Sequence, residues 1–301
     1  RSIENDLKKR FKQLSEPMNA MPTGTEARLQ KISGIRFVIY DFYGTLFLSG
    51  VGDIGIDDGT SDSALMIDAL KGAGISVEDR SAGERSLSLY NSVVEEAINR
   101  LKKEGIETPE PDIRMIWEKV LERLEGERLI TAPGCDRHET AMRISVEFEA
   151  RMNPVWPVED AVSTLRELKK RGLRQGIISN SQFYTPLVLQ ALAGKSITAL
   201  GIDRRLLHWS FEEKMKKPDI QFYRRFLDKM TAAFPESLPN EILYVGNDML
   251  KDIWPAASLG IKTALFAGDS RSLKWRRDDD RCKYLEPDVI ITHFHQLNEV
   301  I

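Results

Sequence analysis

The stretch Phe37-Val38-Ile39-Tyr40-Asp41-Phe42-Tyr43-Gly44-Thr45-Leu46 decides the fold. A short apolar run ends abruptly in a carboxylate, and a Gly-Thr turn follows after two more residues. An apolar run without alternation reads as a strand buried on both faces, and this one delivers a single Asp to its carboxyl end. Position 43, where a second acid would complete a carboxylate pair, is a tyrosine.

Outward from that strand, the second half of the chain alternates between strand and helix signals. Helices are expected over 161–170, 219–230, 251–259 and 294–301, and strands over 176–179, 241–245, 263–266 and 289–291. Such alternation predicts an α/β fold with a Rossmann-like parallel sheet covered on both faces. Between the two halves, Leu87, Tyr90, Val94, Ala97 and Leu101 form one apolar stripe at helical spacing, and Ile113, Ile116, Val120 and Leu124 form another. A further helix is expected from His138 to Met152, and no strand-like alternation stands out. Ile3, Leu7, Phe11 and Leu14 mark an N-terminal helix, expected to pack on the core, with an oligomer contact through it or the inserted helices as the other reading. The expected organisation is an N-terminal helical extension over 1–30, an α/β core over 31–50 and 154–301, and a helical insertion over 51–153.

At 301 residues the chain is long enough for one large domain or a core with an insertion. Charged residues at 30% and the hydrophobic set at 42% are ordinary for a globular protein. A net charge of −3 gives no reason to expect nucleic acid or an anionic membrane as partner. Cys135 and Cys282 are too few for a disulfide framework, which points to a reducing cytoplasm. No apolar run approaches the ~18 residues of a membrane span.

In parallel sheets the site lies at the carboxyl ends of the strands. Those ends carry Asp41, then Ser179 and Asn180, then Asp248 and Asp252 just past Gly246-Asn247, while Lys217 begins a helix at Lys217-Pro218-Asp219. Neighbouring carboxylates repel and hold a proton or a cation, and an oxygen-only set suits Mg²⁺. An opposing Lys neutralises an anionic group in transfer, and Ser179 with the N–H groups behind it can bond phosphoryl oxygens. This is a constellation for phosphoryl transfer through an aspartyl intermediate.

The four motifs resemble those of the haloacid dehalogenase superfamily. Asp41-Phe42-Tyr43-Gly44-Thr45 matches its Asp-x-Asp-Gly-Thr except at the third position. Ile177-Ile178-Ser179-Asn180, Lys217-Pro218-Asp219 and Val245-Gly246-Asn247-Asp248 with Asp252 match the other three, in order. The resemblance covers 35–60 and 154–301, and the helical insertion resembles the family's C1 cap, which selects substrate. It implies that Asp41 is the nucleophile and that Tyr43, Ser179 and Lys217 complete the catalytic set. Substrate contacts would come from Gly44, Thr45, Ser179, Asn180 and Lys217. Mg²⁺ would be held by Asp41, the Tyr43 carbonyl and Asp248, with Asp252 orienting that shell, and Asn247 could take either of the last two roles through a one-residue shift.

Tyr43 departs from the family's phosphatases, whose Asp there protonates the leaving oxygen. A phenol with a reference pKa of about 10 does this poorly, and general acid–base help is worth about 10²–10⁴ in rate. The family's L-2-haloacid dehalogenases carry Asp-x-Tyr-Gly-Thr and use no metal, because halide leaves without a proton. Their fourth motif, Ser-Ser-Asn-x-x-Asp, is not the one found here. With Lys217 as the single clear cation, the acids at 41 and 248 are left with excess negative charge, which a divalent ion would correct. The expectation is therefore a Mg²⁺-dependent phosphohydrolase of a small phosphorylated metabolite. A metal-independent dehalogenase and a catalytically weak binding or assembly protein are the alternatives.

Weaker signals have plainer readings. Gly50-Val51-Gly52-Asp53-Ile54-Gly55 fits G-x-G-x-x-G but lies away from the strand–helix turn, and reads as a flap and hinge. Asp53, Asp57 and Asp58 read as solvated loop acids. Cys135 to Glu139 meets no zinc spacing, the mixed-charge run from Arg271 to Arg281 reads as a solvated loop, and His208, His293 and His295 show no triad pattern.

Overall fold

The run at 37–40 becomes the central strand of a six-stranded sheet in a computed structural model that describes residues 2–51 and 63–301. Most of the glycine-rich flap, with Asp53, Asp57 and Asp58, lies outside the described residues. In chain order, α1 (Ile3–Leu14) precedes β1 (Phe37–Tyr40) and β2 (Phe47–Ser49). The insertion contains α2 (Ser63–Gly72), β3 (Ser76–Val77), α3 (Ala82–Lys103), α4 (Ile113–Gly126), β4 (Ile130–Thr131) and α5 (Arg137–Met152). Then come β5 (Val155–Pro157), α6 (Ala161–Lys170), β6 (Arg174–Ser179), α7 (Thr185–Ala193), β7 (Leu207–Trp209), α8 (Ser210–Glu213) and α9 (Ile220–Ala233). The chain closes with β8 (Ile242–Gly246), α10 (Trp254–Ser258), β9 (Lys262–Phe266), β10 (Val289–Ile291) and α11 (Leu297–Val300).

The sheet order is β10-β9-β8-β1-β6-β7, parallel throughout. Tyr40 is in register with Ile177 of β6 on one side and Val245 of β8 on the other. The strand order reverses at β1, so the crevice at its carboxyl end is where a ligand is bound in such sheets. All four residues of β1 are buried, as its uninterrupted apolar run requires.

The chain leaves the core at β2 and returns at β5, and the two pair antiparallel as a stem for the inserted helices. The stem is locked by Ser49 Oγ donating to Asn153 Oδ1 at 2.7 Å. The α3 and α4 stripes face each other across Tyr90 and Trp117, whose ring centroids lie 5.2 Å apart. The insertion is not wholly helical: Ser76–Val77 pairs with Ile130–Thr131, two residues each and too short to show alternation.

The helix α1 packs on α5 of the insertion and α7 of the core. Its Phe11 is buried against Tyr184, and Arg10 reaches Glu147, a carboxylate only 2% exposed, at 2.7 Å. Farther on, Arg28 bridges antiparallel to Ile290, extending the sheet past β10.

Two core elements escape sequence patterning. The helix α7 buries Leu187, Val188, Leu189 and Ala191, so no polar face betrays its period. The strand β7 is only Leu207-His208-Trp209, and its histidine interrupts the apolar signal. That ring is fully buried and stacked on Phe222. Nε2 lies 2.7 Å from the Phe222 carbonyl and so donates to it, while Nδ1 accepts from Lys229 Nζ at 3.1 Å. Burial, reinforced by Lys229, pushes the imidazole down to about 3. His208 is thus structural. Its stabilising contribution is complete above the unfolded-state value of about 6.5 and is lost as pH falls from there toward the folded value. The His208 ring resonances should therefore show no titration between about pH 5 and 8 in an NMR series; a midpoint near 6.5 would contradict this packing.

Candidate active site

Each strand end adjoining β1 contributes a side chain. Asp41 follows β1 directly, with its N–H bonded to the Val245 carbonyl at 2.9 Å. Gly44 turns the chain back beneath it at φ +82, and a Cβ there would sit 2.7 Å from Ser272 Cβ and 2.9 Å from Asn247 Nδ2. Only glycine meets both demands. Lys217 precedes α9, where Asp219 caps the helix by accepting from the Gln221 N–H at 2.9 Å.

Lys217 is the hub. Its Nζ donates to Asp41 Oδ1 at 2.8 Å, Asp252 Oδ1 at 2.6 Å and the Tyr244 hydroxyl at 2.5 Å. The ammonium is 2% exposed. Burial alone would lower its pKa, but the Asp252 and Asp41 carboxylates overcome that and leave it raised. It is therefore charged at neutral pH. Asn180 positions Lys217, its Oδ1 accepting from the Lys217 N–H at 2.8 Å. Ser179 is fully buried, and its hydroxyl donates to the Asn180 carbonyl at 2.9 Å.

The fourth motif is wound into a π-helical turn over Met249–Ile253. Such turns accommodate an extra residue and frequently occur at functional sites. This one aims the two acids in different directions. Asp252 points back to Lys217, and its Oδ2 accepts from the Asn247 and Asp248 N–H groups at 3.1 and 3.0 Å. Burial pushes its carboxyl up while Lys217 pulls it down. Gly246 is obligatory here, because a Cβ would overlap Asp252. Asp248 instead faces Arg276, whose Nε and Nη2 reach its two oxygens at 3.0 and 2.7 Å. The ambiguity between residues 247 and 248 resolves accordingly. Asn247 is the one on the Asp41 side: its Oδ1 accepts from Thr45 Oγ1 at 2.8 Å, and that hydroxyl is 3.4 Å from Asp41 Oδ2.

One sequence expectation is corrected by this geometry: Lys217 is not the sole cation of the cluster, because Arg276, on the largely exposed loop after β9 and itself about a third exposed, pairs with Asp248. Three carboxylates face two cations, leaving about one negative charge. The Mg²⁺ set implied by the resemblance was Asp41, the Tyr43 carbonyl, Asp248 and Asp252. Among the described residues, no group of three or more His, Cys, Asp or Glu side chains is arranged to hold a metal. Asp252 already accepts from four donors, as many as a carboxylate has lone-pair sites, and Asp248 is held by a guanidinium fork. As arranged, this donor set does not fit a divalent ion.

Tyr43 is buried, and its hydroxyl lies 3.0 Å from Thr185 Oγ1. Burial, with the Glu149 and Asp41 carboxylates adding to it, raises the phenol well above its ordinary value. It stays neutral and tied to α7. Tyr244, Thr185, Glu149 and Arg276 were not among the expected site residues. Tyr244 had one signal, a hydroxyl in the middle of an apolar parallel strand; the other three had none.

Replacing Lys217 removes the shared partner of two acids. Breaking a buried ion pair from one side costs about 3–5 kcal/mol, so the urea midpoint of Lys217→Met should fall accordingly, and Asp252→Asn added to it should recover part of the loss. A Lys217→Met chain as stable as the parent would contradict the hub.

The family model for haloacid dehalogenase-like hydrolases matches residues 87–266, more than half of the chain. No curated protein matches it. Among solved structures, the chain is similar to 2-haloacid dehalogenase from Pseudomonas syringae pv. Tomato DC3000, at 17% identity over 88% of this chain and 97% of that one, with a TM-score of 0.52. It is also similar to L-2-haloacid dehalogenase from Xanthobacter autotrophicus, at 17% identity over 87% and 96% and a TM-score of 0.45. A predicted phosphoglycolate phosphatase from Haemophilus somnus 129pt aligns at 14% identity over 89% and 98%, with a TM-score of 0.44. The first of these likenesses supports the fold alone. With the family match and the order of its four motifs, the chain belongs to the haloacid dehalogenase-like hydrolases.

Proposed function

We propose that this hydrolase works by attack of Asp41 on a small substrate whose leaving group departs without a proton, most directly a 2-haloacid. The observation that carries the reading is Tyr43. Its phenol is neutral, buried and bonded to Thr185, in the place where an acid would protonate a leaving oxygen. An alkoxide leaving group would forfeit about 10²–10⁴ in rate without that acid, whereas a halide forfeits nothing.

In this reading an Asp41 carboxylate oxygen bonds to the halogen-bearing carbon, and the halide leaves with the bonding pair. Lys217 fixes the orientation of Asp41 through Oδ1. Water then cleaves the resulting ester, releasing the hydroxy acid, restoring the Asp41 carboxylate and giving one proton to solvent. No metal enters these steps. The second reading is a Mg²⁺-dependent phosphohydrolase of an activated phosphate. It is favoured by Asp248, two residues past the end of β8, the strand paired with β1, but it requires Arg276 to leave that carboxylate.

Chloride release from L-2-chloropropionate, set beside phosphate release from acyl phosphates and with Mg²⁺ or EDTA, tests the proposal. Chloride should appear equally with EDTA. Asp41→Asn should abolish it, and Tyr43→Phe should change its rate by less than about tenfold, since the phenol is asked for no proton transfer. Phosphate release that needs Mg²⁺, with no chloride from the haloacid, would overturn the reading in favour of the second.

A further inference from the structure

The segment after β9 is fastened to the fourth motif along its backbone. Lys274 N–H donates to the Asn247 carbonyl at 3.0 Å, and Met249 N–H to the Lys274 carbonyl at 2.9 Å. Asn247 Nδ2 donates to the Ser272 carbonyl at 2.8 Å. Two residues beyond Lys274, Arg276 adopts a left-handed backbone, φ 55, which L-residues take only when their surroundings hold them there. From this position both arms of its guanidinium meet Asp248. A side chain placed by three main-chain and side-chain tethers and a disfavoured φ is a built contact, unlike a mobile surface arginine.

We propose that Arg276 is the resident counter-cation of Asp248, occupying the approach from which that carboxylate would bind a divalent ion, and that it makes this acid cluster refractory to metal. Arg276 does this in a way lysine would not. Its planar fork covers both carboxylate oxygens at once and cannot lose its proton at any working pH. On the side of the fourth motif nearest Asp41, the chain presents the neutral amide of Asn247 instead of an acid. Asp248 Oδ1 also accepts from the Leu250 and Lys251 N–H groups, and Asp252 accepts from Lys217, Tyr244 and the Asn247 and Asp248 N–H groups. Removing Arg276 leaves Asp248 buried and unpaired, and an unpaired buried carboxylate recruits a cation. The proposal concerns which cation sits at Asp248 and does not depend on the identity of the leaving group.

Mn²⁺ binding to the full chain, read by electron paramagnetic resonance of the free ion, tests it. The parent should bind no Mn²⁺ at this site at about millimolar free ion, whereas Arg276→Ala should bind at least about tenfold more tightly. The thermal midpoint of Arg276→Ala should be lowered, and Mn²⁺ should restore it by mass action. Both gains should vanish when Asp248→Asn is added. Arg276→Gln, which keeps hydrogen-bond donors without charge, supplies the comparison if Arg276→Ala does not fold. Parent chain binding Mn²⁺ as tightly as either variant, or variants that gain none, would overturn the proposal. Failure to release chloride counts against the leaving-group reading alone, and Mn²⁺ held by the parent counts against this one.

Discussion

One ammonium group, Lys217 Nζ, ties together the ends of segments that are far apart in sequence. It bonds to Asp41 after β1, to Asp252 in the π-helical turn after β8, and to the Tyr244 hydroxyl within β8. Asn180, at the end of β6, holds its backbone. Because the group is buried, each contact is made in a low-dielectric setting where an unpaired charge is costly. The parallel register on both sides of β1 brings these residues within reach, and the ion pairs in turn hold the strand ends in that register. The carboxylates of Asp41 and Asp252 are both turned toward that one nitrogen.

Charge balance is the second level. The acids at 41, 248 and 252 were legible as a cluster from their positions at strand ends, and their order identified the superfamily. The parallel sheet was legible for the same reason that β1 was: a parallel strand covered on both faces is continuously apolar. The partner of Asp248 was not legible. Arg276 stands in a run of mixed sign, from Arg271 to Arg281, where pattern alone gives each arginine the same standing. Only the tethers at Ser272, Lys274 and Met249 select it. A charge-counting reading from sequence therefore found too few cations and called for a metal. Short or fully buried elements, β7 and α7, were hidden because a histidine broke one run and the other lacks a polar face.

The site is most coherent when Tyr43 and Arg276 are considered together. A buried phenol supplies no proton to a leaving group, and a guanidinium on Asp248 leaves the three carboxylates with about one net negative charge. Under the proposed displacement at carbon, neither departure removes anything the reaction requires. The two observations come from different elements around Asp41, one tied to α7 and the other to the loop after β9, so they are independent constraints on the same chemistry.

The most direct measurement is an anomalous difference map from crystals of the parent chain soaked in MnCl₂. The account predicts no Mn²⁺ peak between Asp41 and Asp248, with Arg276 still bridging both oxygens of Asp248. A Mn²⁺ peak contacting both aspartates, with the guanidinium displaced, would contradict it.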